Sequence, residues 1–263
     1  AVNFIEKNKE DPFFLFFSFQ DIHVPRLPNE RFKGKSTMGP RGDAIVQMDW
    51  MVGRLMQELT TQGVADNTLV IFTSDNGPVL DDGYDDNAAE MLGEHTPAGP
   101  FRGGKYSIFE GGTRVPMIVY WPGKTAHTRS NALISQIDIY ASLANLVKQP
   151  LAEEEAIDSL DVMDAFLGQT QSARTYLLEE SAGTVALRKN NWKYIQAISK
   201  DKGLPDWLGN KDIEMGFELT PQLFDLTDDV NEQTNRAGQY PKLVNALEQK
   251  TQQLIKNGFR HTK

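Results

Sequence analysis

The chain has 263 residues, no cysteine and a formal net charge of −9 at pH 7. With 40% hydrophobic and 24% charged residues, its composition is that of a globular protein, and its length suits one large domain or two smaller ones. The lack of cysteine excludes disulfides, zinc thiolates and a cysteine nucleophile within this chain. The acidic balance argues against nucleic acid as the main partner, because a phosphate backbone attracts clustered Lys and Arg. No stretch reaches the roughly 18 consecutive apolar residues of a membrane span.

The first part of the chain is predicted to alternate strands with helices. An apolar run at 13–19 predicts a buried strand, and apolar residues at helical spacing predict a helix over 42–62. Further strands are expected at 69–72 and 116–121, and another helix over 134–147. A strand, a crossover helix and a strand in this order indicate a parallel sheet. We therefore expect an α/β fold with a large mixed, mostly parallel central sheet flanked by helices.

The composition shifts near residue 170, and we place a domain boundary there, between an α/β domain at 1–170 and a smaller domain at 171–263. The remaining predicted elements are four short strands and a terminal helix, at 175–178, 184–187, 192–197, 223–226 and 240–256. Strands from consecutive hairpins followed by one helix indicate a small α+β subdomain with a short antiparallel sheet.

Two oxygen-bearing side chains, Asp75 and Asn76, directly follow the strand predicted at 69–72. Carboxylate and amide oxygens are ligands that calcium and magnesium prefer, and open α/β sheets usually bind ligands at the carboxyl ends of their strands. The same Asp-Asn-Gly-Pro sequence also suits an ordinary turn without a metal. The local sequence thus predicts either a cation site or a simple turn.

Lys105 lies thirty residues further along, since 105 − 75 = 30, within an Arg-Gly-Gly-Lys sequence. Small neighbours allow its ammonium group to reach an anionic ligand, although an exposed lysine in a glycine turn is the simpler interpretation. His23 follows the first predicted strand and could donate a proton to a leaving group, although a lone histidine is more often structural. The long polar segment Pro78–Pro100, which contains His95, is typical of a functional loop.

Read together, these segments resemble the sulfatase family. The resemblance rests on Asp21-Ile-His-Val-Pro25, the Met48–Arg54 helix sequence, Asn67–Gly77, Gly99–Lys105, Phe109–Pro116 and Trp121-Pro-Gly123. Asp138, Ala186–Tyr194 and Leu223–Leu226 match later landmarks of the family, so the resemblance covers almost the whole chain.

The resemblance implies roles for the four candidate residues. Asp75 and Asn76 would be calcium ligands, with magnesium as the alternative ion. Lys105 would hold a sulfate oxygen, and His23 would contact the sulfate and help to protonate the leaving alcohol. The reaction implied is the hydrolysis of sulfate esters, in which the cation and the lysine neutralise charge on the transferring sulfuryl group.

The substrate implied is a sulfated carbohydrate or an aryl sulfate. The Pro78–Pro100 loop, with His95 or Arg102, is expected to shape its recognition. Glu110 and Arg114 are expected to belong to the framework instead. Enzymes of this family that act on polymers are generally exported, so the expected location is the periplasm or the cell exterior.

The family's nucleophile is a formylglycine formed from the first residue of a Cys- or Ser-x-Pro-Ser-Arg motif, and the sequence contains no such motif. We therefore expect the chain to be the carboxyl-terminal part of a sulfatase, inactive alone and partnered by the missing amino-terminal portion. Two alternatives are a phosphodiesterase or phosphonate hydrolase of the related alkaline-phosphatase superfamily, and a catalytically inactive homologue that binds sulfated glycans. The upstream motif discriminates among them.

Overall fold

A computed structural model of the protein describes residues 1–199 and 213–258. The longer helices are Val2–Asn8 (α1), Gly39–Thr61 (α2), Asp138–Leu146 (α4) and Pro241–Asn257 (α6), and two single-turn helices are Glu110–Thr113 (α3) and Met163–Phe166 (α5). The strands are Val70–Thr73 (β1), Met117–Tyr120 (β2), Tyr176–Ser181 (β3), Thr184–Lys189 (β4), Trp192–Ile195 (β5) and Gln222–Asp225 (β6). Within the part of the chain that the structure describes, none of the helices has both the length and the hydrophobicity of a membrane span.

The chain divides into two compact units that each combine distant segments. The first unit comprises Ala1–Val70, Val79–Pro97 and Trp121–Gly123. The second comprises Ile71–Pro78, Ala98–Tyr120 and the described residues from Lys124 onward. The division into domains at residue 170 stays a prediction.

The helix predicted over 42–62 in the first unit is present as α2. Pro40 lies in its first turn, where a fixed φ and a missing N–H cost nothing. Beyond its end, Gly63 has a φ of 72°, a left-handed conformation that glycine adopts without a steric penalty. The start and stop signals therefore define this helix to within a few residues.

The strand predicted at 13–19 in the same unit is wrong, because this segment forms no strand. Phe14 and Phe16 are 73% and 81% exposed, so their side of the segment is uncovered. Apolar residues favour an extended chain, but a strand also needs a neighbouring strand to pair its N–H and C=O groups. Among the described residues, no strand pairs with the segment at 13–19.

The second unit contains two sheets. β1 pairs with β2, and both strands match predicted ones closely. On β2 the side chains of Ile118 and Tyr120 are 60% and 46% exposed. Within the described residues this sheet has two strands, so the large, mostly parallel central sheet stays a prediction.

The four predicted carboxyl-terminal strands form one antiparallel sheet in the order β3-β4-β5-β6. One face of it packs on α6 through a buried cluster of apolar side chains: Leu187, Tyr194, Leu223, Val244, Leu247 and Leu254. The opposite face packs on the segment before α3 through a second cluster: Ile108, Phe109, Ala186, Ile195 and Phe224. The predicted short antiparallel sheet and terminal helix are therefore confirmed, and both faces of the sheet are covered.

A buried ion pair joins the start of α4 to the segment before β3. The side chains of Asp138 and Arg174 are both 0% exposed. Arg174 donates from Nε to Asp138 Oδ2 at 2.7 Å and from Nη2 to Asp138 Oδ1. The carboxylate also accepts the backbone N–H groups of Ser135 and Leu160, each at 2.9 Å. The Asp138 carboxylate is thus paired with Arg174 and hydrogen-bonded by two backbone N–H groups inside the protein.

Candidate active site

The candidate cation ligands lie in the turn that follows β1. Asp75 is exposed, and Asn76 is partly buried. The Asn76 side chain donates from Nδ2 to the carbonyl oxygen of Gly77 at 2.9 Å, so the amide nitrogen is engaged and Oδ1 is the atom left to act as a ligand. Before the turn, Thr73 Oγ1 donates to the Pro116 carbonyl oxygen at 2.9 Å and accepts from Gln136 at 3.0 Å. These bonds hold the end of β1, directly before the two candidate ligands.

Backbone contacts join this turn to the glycine-rich segment that carries Lys105. The N–H of Gly77 donates to Gly112 O at 2.9 Å, and the N–H of Lys105 donates to Pro78 O at 2.8 Å. A Cβ atom at Gly77 would lie 1.8 Å from Gly111 O, and one at Gly104 would lie 2.5 Å from Pro78 O. Only glycine allows backbone segments to approach this closely. The structure therefore brings the Asp75–Asn76 turn and the Lys105 segment together.

Replacing Gly77 with alanine is expected to separate these two segments. Since the clash is with backbone atoms, we expect a loss of about 1–3 kcal/mol in the free energy of unfolding. The matched control is Gly53→Ala inside α2, where a Cβ atom meets nothing within 4 Å. That change is expected to stabilise the protein by up to about 1 kcal/mol, because alanine is the better helix former. Chemical denaturation of both variants tests this prediction, and equal effects would contradict it.

The candidate anion-binding residue Lys105 is partly buried. Its Nζ lies 5.2 Å from the centre of the Tyr106 ring. Tyr106 has a φ of 77°, an uncommon conformation for a bulky residue, and its carbonyl oxygen accepts a hydrogen bond from Ser181 Oγ. The backbone next to the lysine is thus held in a specific conformation by the antiparallel sheet.

Arg102, the other candidate in this segment, is held by contacts within the protein. Its Nε donates to Glu214, and its Nη1 donates to Glu232 O at 2.7 Å. Its guanidinium lies 4.2 Å from the centre of the Phe109 ring. The hydrogen bond from Arg102 lowers the pKa of the Glu214 carboxyl group. These contacts fix the arginine within its segment, and its role in substrate binding stays a prediction.

The two candidate histidines belong to the first unit. His23 Nδ1 lies 2.8 Å from the carbonyl oxygen of Val24, and its Nε2 lies 4.0 Å from an Asp82 carboxylate oxygen. With 63% of its side chain exposed, the ring is accessible for proton transfer. His95 is exposed as well. The structure thus places Asp75, Asn76 and Lys105 in one unit and describes both histidines in the other, and their predicted roles stay predictions.

The residues present fit a hard cation in kind but not in number. Asp75 and Asn76 supply carboxylate and amide oxygens, whereas calcium takes about six to eight oxygen ligands. Among residues 1–199 and 213–258, no group of three or more His, Cys, Asp or Glu side chains could hold a metal. A complete calcium site therefore needs oxygen ligands in addition to these two.

The sequence did not reveal a buried ionic cluster behind the glycine-rich segment. Lys193 on β5 is fully buried, and its Nζ lies 3.0 Å from Glu110, 3.0 Å from Glu179 and 3.6 Å from Glu232. Arg188 Nη1 donates to Glu110 Oε2 at 2.8 Å. The one local signal was a lysine between Trp192 and Tyr194 in an otherwise apolar strand. Its partner Glu110 lies 83 residues away in the sequence. Glu179 lies on β3, and Glu232 follows β6, so no local pattern indicates these contacts.

Comparison with known proteins identifies the class of this fold and site. One similar solved structure, described in connection with the metabolism of multiple glycosaminoglycans by Bacteroides thetaiotaomicron, has a TM-score of 0.91 at 47% identity. The match covers 96% of this chain and 52% of that chain. A sulfatase from Pseudoalteromonas sp. has a TM-score of 0.78 at 27% identity and covers 99% of this chain and 52% of that chain. The fold is the alkaline-phosphatase-like α/β fold of these enzymes.

The family follows from the sequence. The Sulfatase family model matches residues 1–149, and the chain belongs to the sulfatase family. It is 48% identical over 248 residues to N-acetylgalactosamine-6-O-sulfatase of Bacteroides thetaiotaomicron, a match that covers 94% of this chain and 48% of that protein. It is 30% identical over 256 residues to human arylsulfatase A, covering 92% of this chain and 48% of that protein. The chain thus spans about half the length of these relatives.

Proposed function

We propose that the complete protein hydrolyses sulfate esters on sulfated sugars and that this chain supplies the side of the active site that binds sulfate and calcium. The observation that carries the proposal is the backbone contact between the Asp75–Asn76 turn and the Lys105 segment, where Lys105 N–H donates to Pro78 O at 2.8 Å. Hard oxygen ligands beside a lysine suit a cation and an anionic group bound together. Membership of the sulfatase family supports the same reaction.

Each candidate residue has a chemical task in this proposal. Asp75 and Asn76 would hold calcium, or magnesium in its place, and that ion would supply positive charge next to the sulfuryl oxygens. Lys105 would bind a sulfate oxygen and neutralise the negative charge that grows during transfer. His23 would donate a proton to the leaving alcohol, for which an accessible ring nitrogen is required.

The substrate that we propose is a carbohydrate sulfated at the 6-position of N-acetylgalactosamine. Support comes from the relative named N-acetylgalactosamine-6-O-sulfatase, which shares 48% of the residues over 94% of this chain. We further propose that His95 and Arg102 contribute to binding the sugar. We place the complete enzyme in the periplasm or outside the cell, because sulfatases that act on carbohydrate polymers are generally exported.

We also propose that a formylglycine nucleophile and the remaining calcium ligands come from a complementary part of the same protein, which would complete the central sheet. The sequence has no cysteine and no Pro-Ser-Arg motif. The exposed rings of Phe14 and Phe16 in the first unit, and the exposed Ile118 and Tyr120 side chains of β2 in the second, support a partner that pairs with and covers these segments.

The decisive experiment measures sulfate released from 6-O-sulfated N-acetylgalactosamine by the complete enzyme and by this chain alone. We expect turnover by the complete enzyme, loss of that turnover after chelation of divalent cations, and no turnover by the isolated chain. Release of sulfate by the isolated chain would contradict the proposed division of the site. Binding of the sulfated sugar without hydrolysis by the complete enzyme would indicate a non-catalytic glycan-binding protein, and preferential hydrolysis of phosphonate or phosphate esters would indicate the related hydrolases.

A further inference from the structure

The buried cluster around Lys193 lies directly behind the loops that carry the candidate ligands. Glu110 is fully buried and begins α3, the short helix that contacts both loops. From this helix, Gly112 O accepts the N–H of Gly77, and the N–H of Gly111 donates to Arg102 O at 2.8 Å. α3 therefore contacts both the Asp75–Asn76 turn and the Lys105 segment.

The side chain of Glu110 fixes this helix to the antiparallel sheet. Its Oε1 accepts from Lys193 Nζ at 3.0 Å, and its Oε2 accepts from Arg188 Nη1 at 2.8 Å. Its backbone N–H donates to Glu232 Oε2 at 2.6 Å. Hydrogen bonds between charged groups away from water are among the strongest that a protein makes. Glu110 consequently sets where α3 lies relative to β4 and β5.

The charges of the cluster do not balance when every carboxyl group is ionised. Three buried carboxyl groups, those of Glu110, Glu179 and Glu232, face two cations that are largely withdrawn from water, Lys193 and Arg188. Arg114 lies 3.5 Å from Glu110 but is 45% exposed, and Arg102 contacts the Glu232 backbone oxygen while its charge is paired with Glu214. An uncompensated charge is costly to bury, so one of the three carboxyl groups is expected to carry a proton.

Glu232 is the carboxyl group best suited to hold that proton. It is the furthest of the three from the Lys193 ammonium group, at 3.6 Å against 3.0 Å for the other two. Its buried Oε1, like Oε2 of Glu179, has no hydrogen-bond partner among the described residues. Burial raises the pKa of Glu232 to about 7, although Lys193 opposes this change. Burial also favours a higher pKa for Glu110, but Lys193 and Arg188 outweigh it and lower the pKa to about 2. Burial likewise raises the pKa of Glu179, which lies closer to Lys193.

We propose that Glu110 is a positioning residue for both candidate ligand loops, anchored as a carboxylate by Lys193 and Arg188, and that Glu232 anchors the same helix in its protonated form. This inference rests on the proposed function for its catalytic consequence, but the ordering of the loops does not. A second negative charge on Glu232 would compete for Lys193 and weaken its bond to Glu110. The two loops therefore lose order when Glu110 loses its charge or when Glu232 gains one.

Amide hydrogen exchange in the complete enzyme tests the proposal at Gly77 and Gly111, whose N–H groups report the two loop contacts. Glu110→Gln is expected to raise exchange at both amides about tenfold, because a charged hydrogen bond is lost, and to leave α6 unchanged. Its matched control is Glu232→Gln, which copies the protonated carboxyl group and is expected to change exchange less than about twofold near pH 6. If Glu110→Gln does not fold, Arg188→Gln removes one of the two anchors and should give a smaller increase at the same amides.

The pH dependence separates positioning by Glu232 from a merely structural role. A raised pKa means that the folded protein binds this proton more tightly, so the stabilisation is complete below the ordinary value of 4.5 and is lost as pH rises through about 7. Protection of Gly77 and Gly111, corrected for intrinsic exchange, should therefore fall between about pH 6 and about pH 8 in the unaltered enzyme but not in Glu232→Gln.

Two results would overturn the proposal: unchanged exchange in Glu110→Gln, or an equal increase in Glu232→Gln at about pH 6. We expect Glu110→Gln to lower kcat/KM for sulfate release about tenfold as well. If the complete enzyme hydrolyses no sulfate ester, the proposed function fails, and the exchange measurements still decide the inference because they need no turnover.

Discussion

Replacing Lys105 with alanine in the complete enzyme is expected to lower kcat/KM for sulfate-ester hydrolysis by about 10²- to 10³-fold. Removing one group that stabilises charge developing in a transition state typically costs this much. The Lys105 segment meets the Asp75–Asn76 turn through the bond from Lys105 N–H to Pro78 O. On the proposed function, loss of the ammonium group leaves the sulfuryl oxygens with less positive charge around them. Arginine at this position is expected to restore little activity, because its planar group is larger and differently shaped.

The control for this variant is Lys242→Ala, which removes a lysine from the exposed first turn of α6. It is expected to leave kcat/KM unchanged within about twofold, since a surface charge far from such a site is screened by salt. Steady-state kinetics with a 6-O-sulfated sugar measure both variants, and denaturation curves verify that each remains folded. Full activity of folded Lys105→Ala would exclude this lysine from the reaction.

Replacing Arg174 with methionine is expected to lower the free energy of unfolding by about 3–5 kcal/mol. The change leaves the Asp138 carboxylate buried without its cation, which is the costly half of a broken internal ion pair. Two backbone N–H groups still reach that carboxylate, and they keep the loss from being larger. Because Asp138 begins α4, the packing of this helix should weaken first.

The matched control is Lys33→Met, which removes the cation of an exposed pair with Glu30. Surface pairs of this kind contribute about 0–1 kcal/mol, so the variant should unfold at almost the same denaturant concentration as the unaltered protein. Chemical denaturation measures both free energies. A similar loss in the two variants would mean that burial does not determine the value of the Asp138–Arg174 pair.

Local patterns predicted the regular elements well where the pattern itself supplies the stabilising contacts. α2 and α6 satisfy their backbone groups internally, and their periodic apolar residues and end signals set their limits. β4 and β5 were predictable because consecutive hairpin strands pair with each other. The strand predicted at 13–19 did not form, because no other described segment pairs with this run. A strand needs a second segment for its backbone hydrogen bonds, and the sequence of one segment does not show whether that second segment is present.

In the candidate site, too, some residues could be predicted from local motifs and others depend on distant contacts. Asp75, Asn76 and Lys105 were predicted as site residues because each lies in a short motif, and the glycines around Lys105 indicated the close backbone approach that the contact with Pro78 shows. The network that holds these motifs was beyond prediction, because Glu110 meets Lys193 and Glu232 only after the antiparallel sheet has formed. Short motifs therefore indicate candidate residues, whereas the contacts that hold those residues come from distant parts of the chain.

One buried arginine in the first unit bears on the proposed role of the Pro78–Pro100 loop in recognising the sugar. The Arg26 side chain is 1% exposed, and its guanidinium group donates to Asp86 and to the carbonyl oxygens of Val79 and Leu80. It therefore holds the Pro78–Pro100 loop at two places, at Val79 and Leu80 near its start and at Asp86, the last of its four aspartates. Exchanging the residues between and beyond these points is expected to leave the Arg26 hydrogen bonds in place. On the proposed function, variation within this loop is expected to change the sugar preference while Arg26 keeps both ends of the fastened stretch in place.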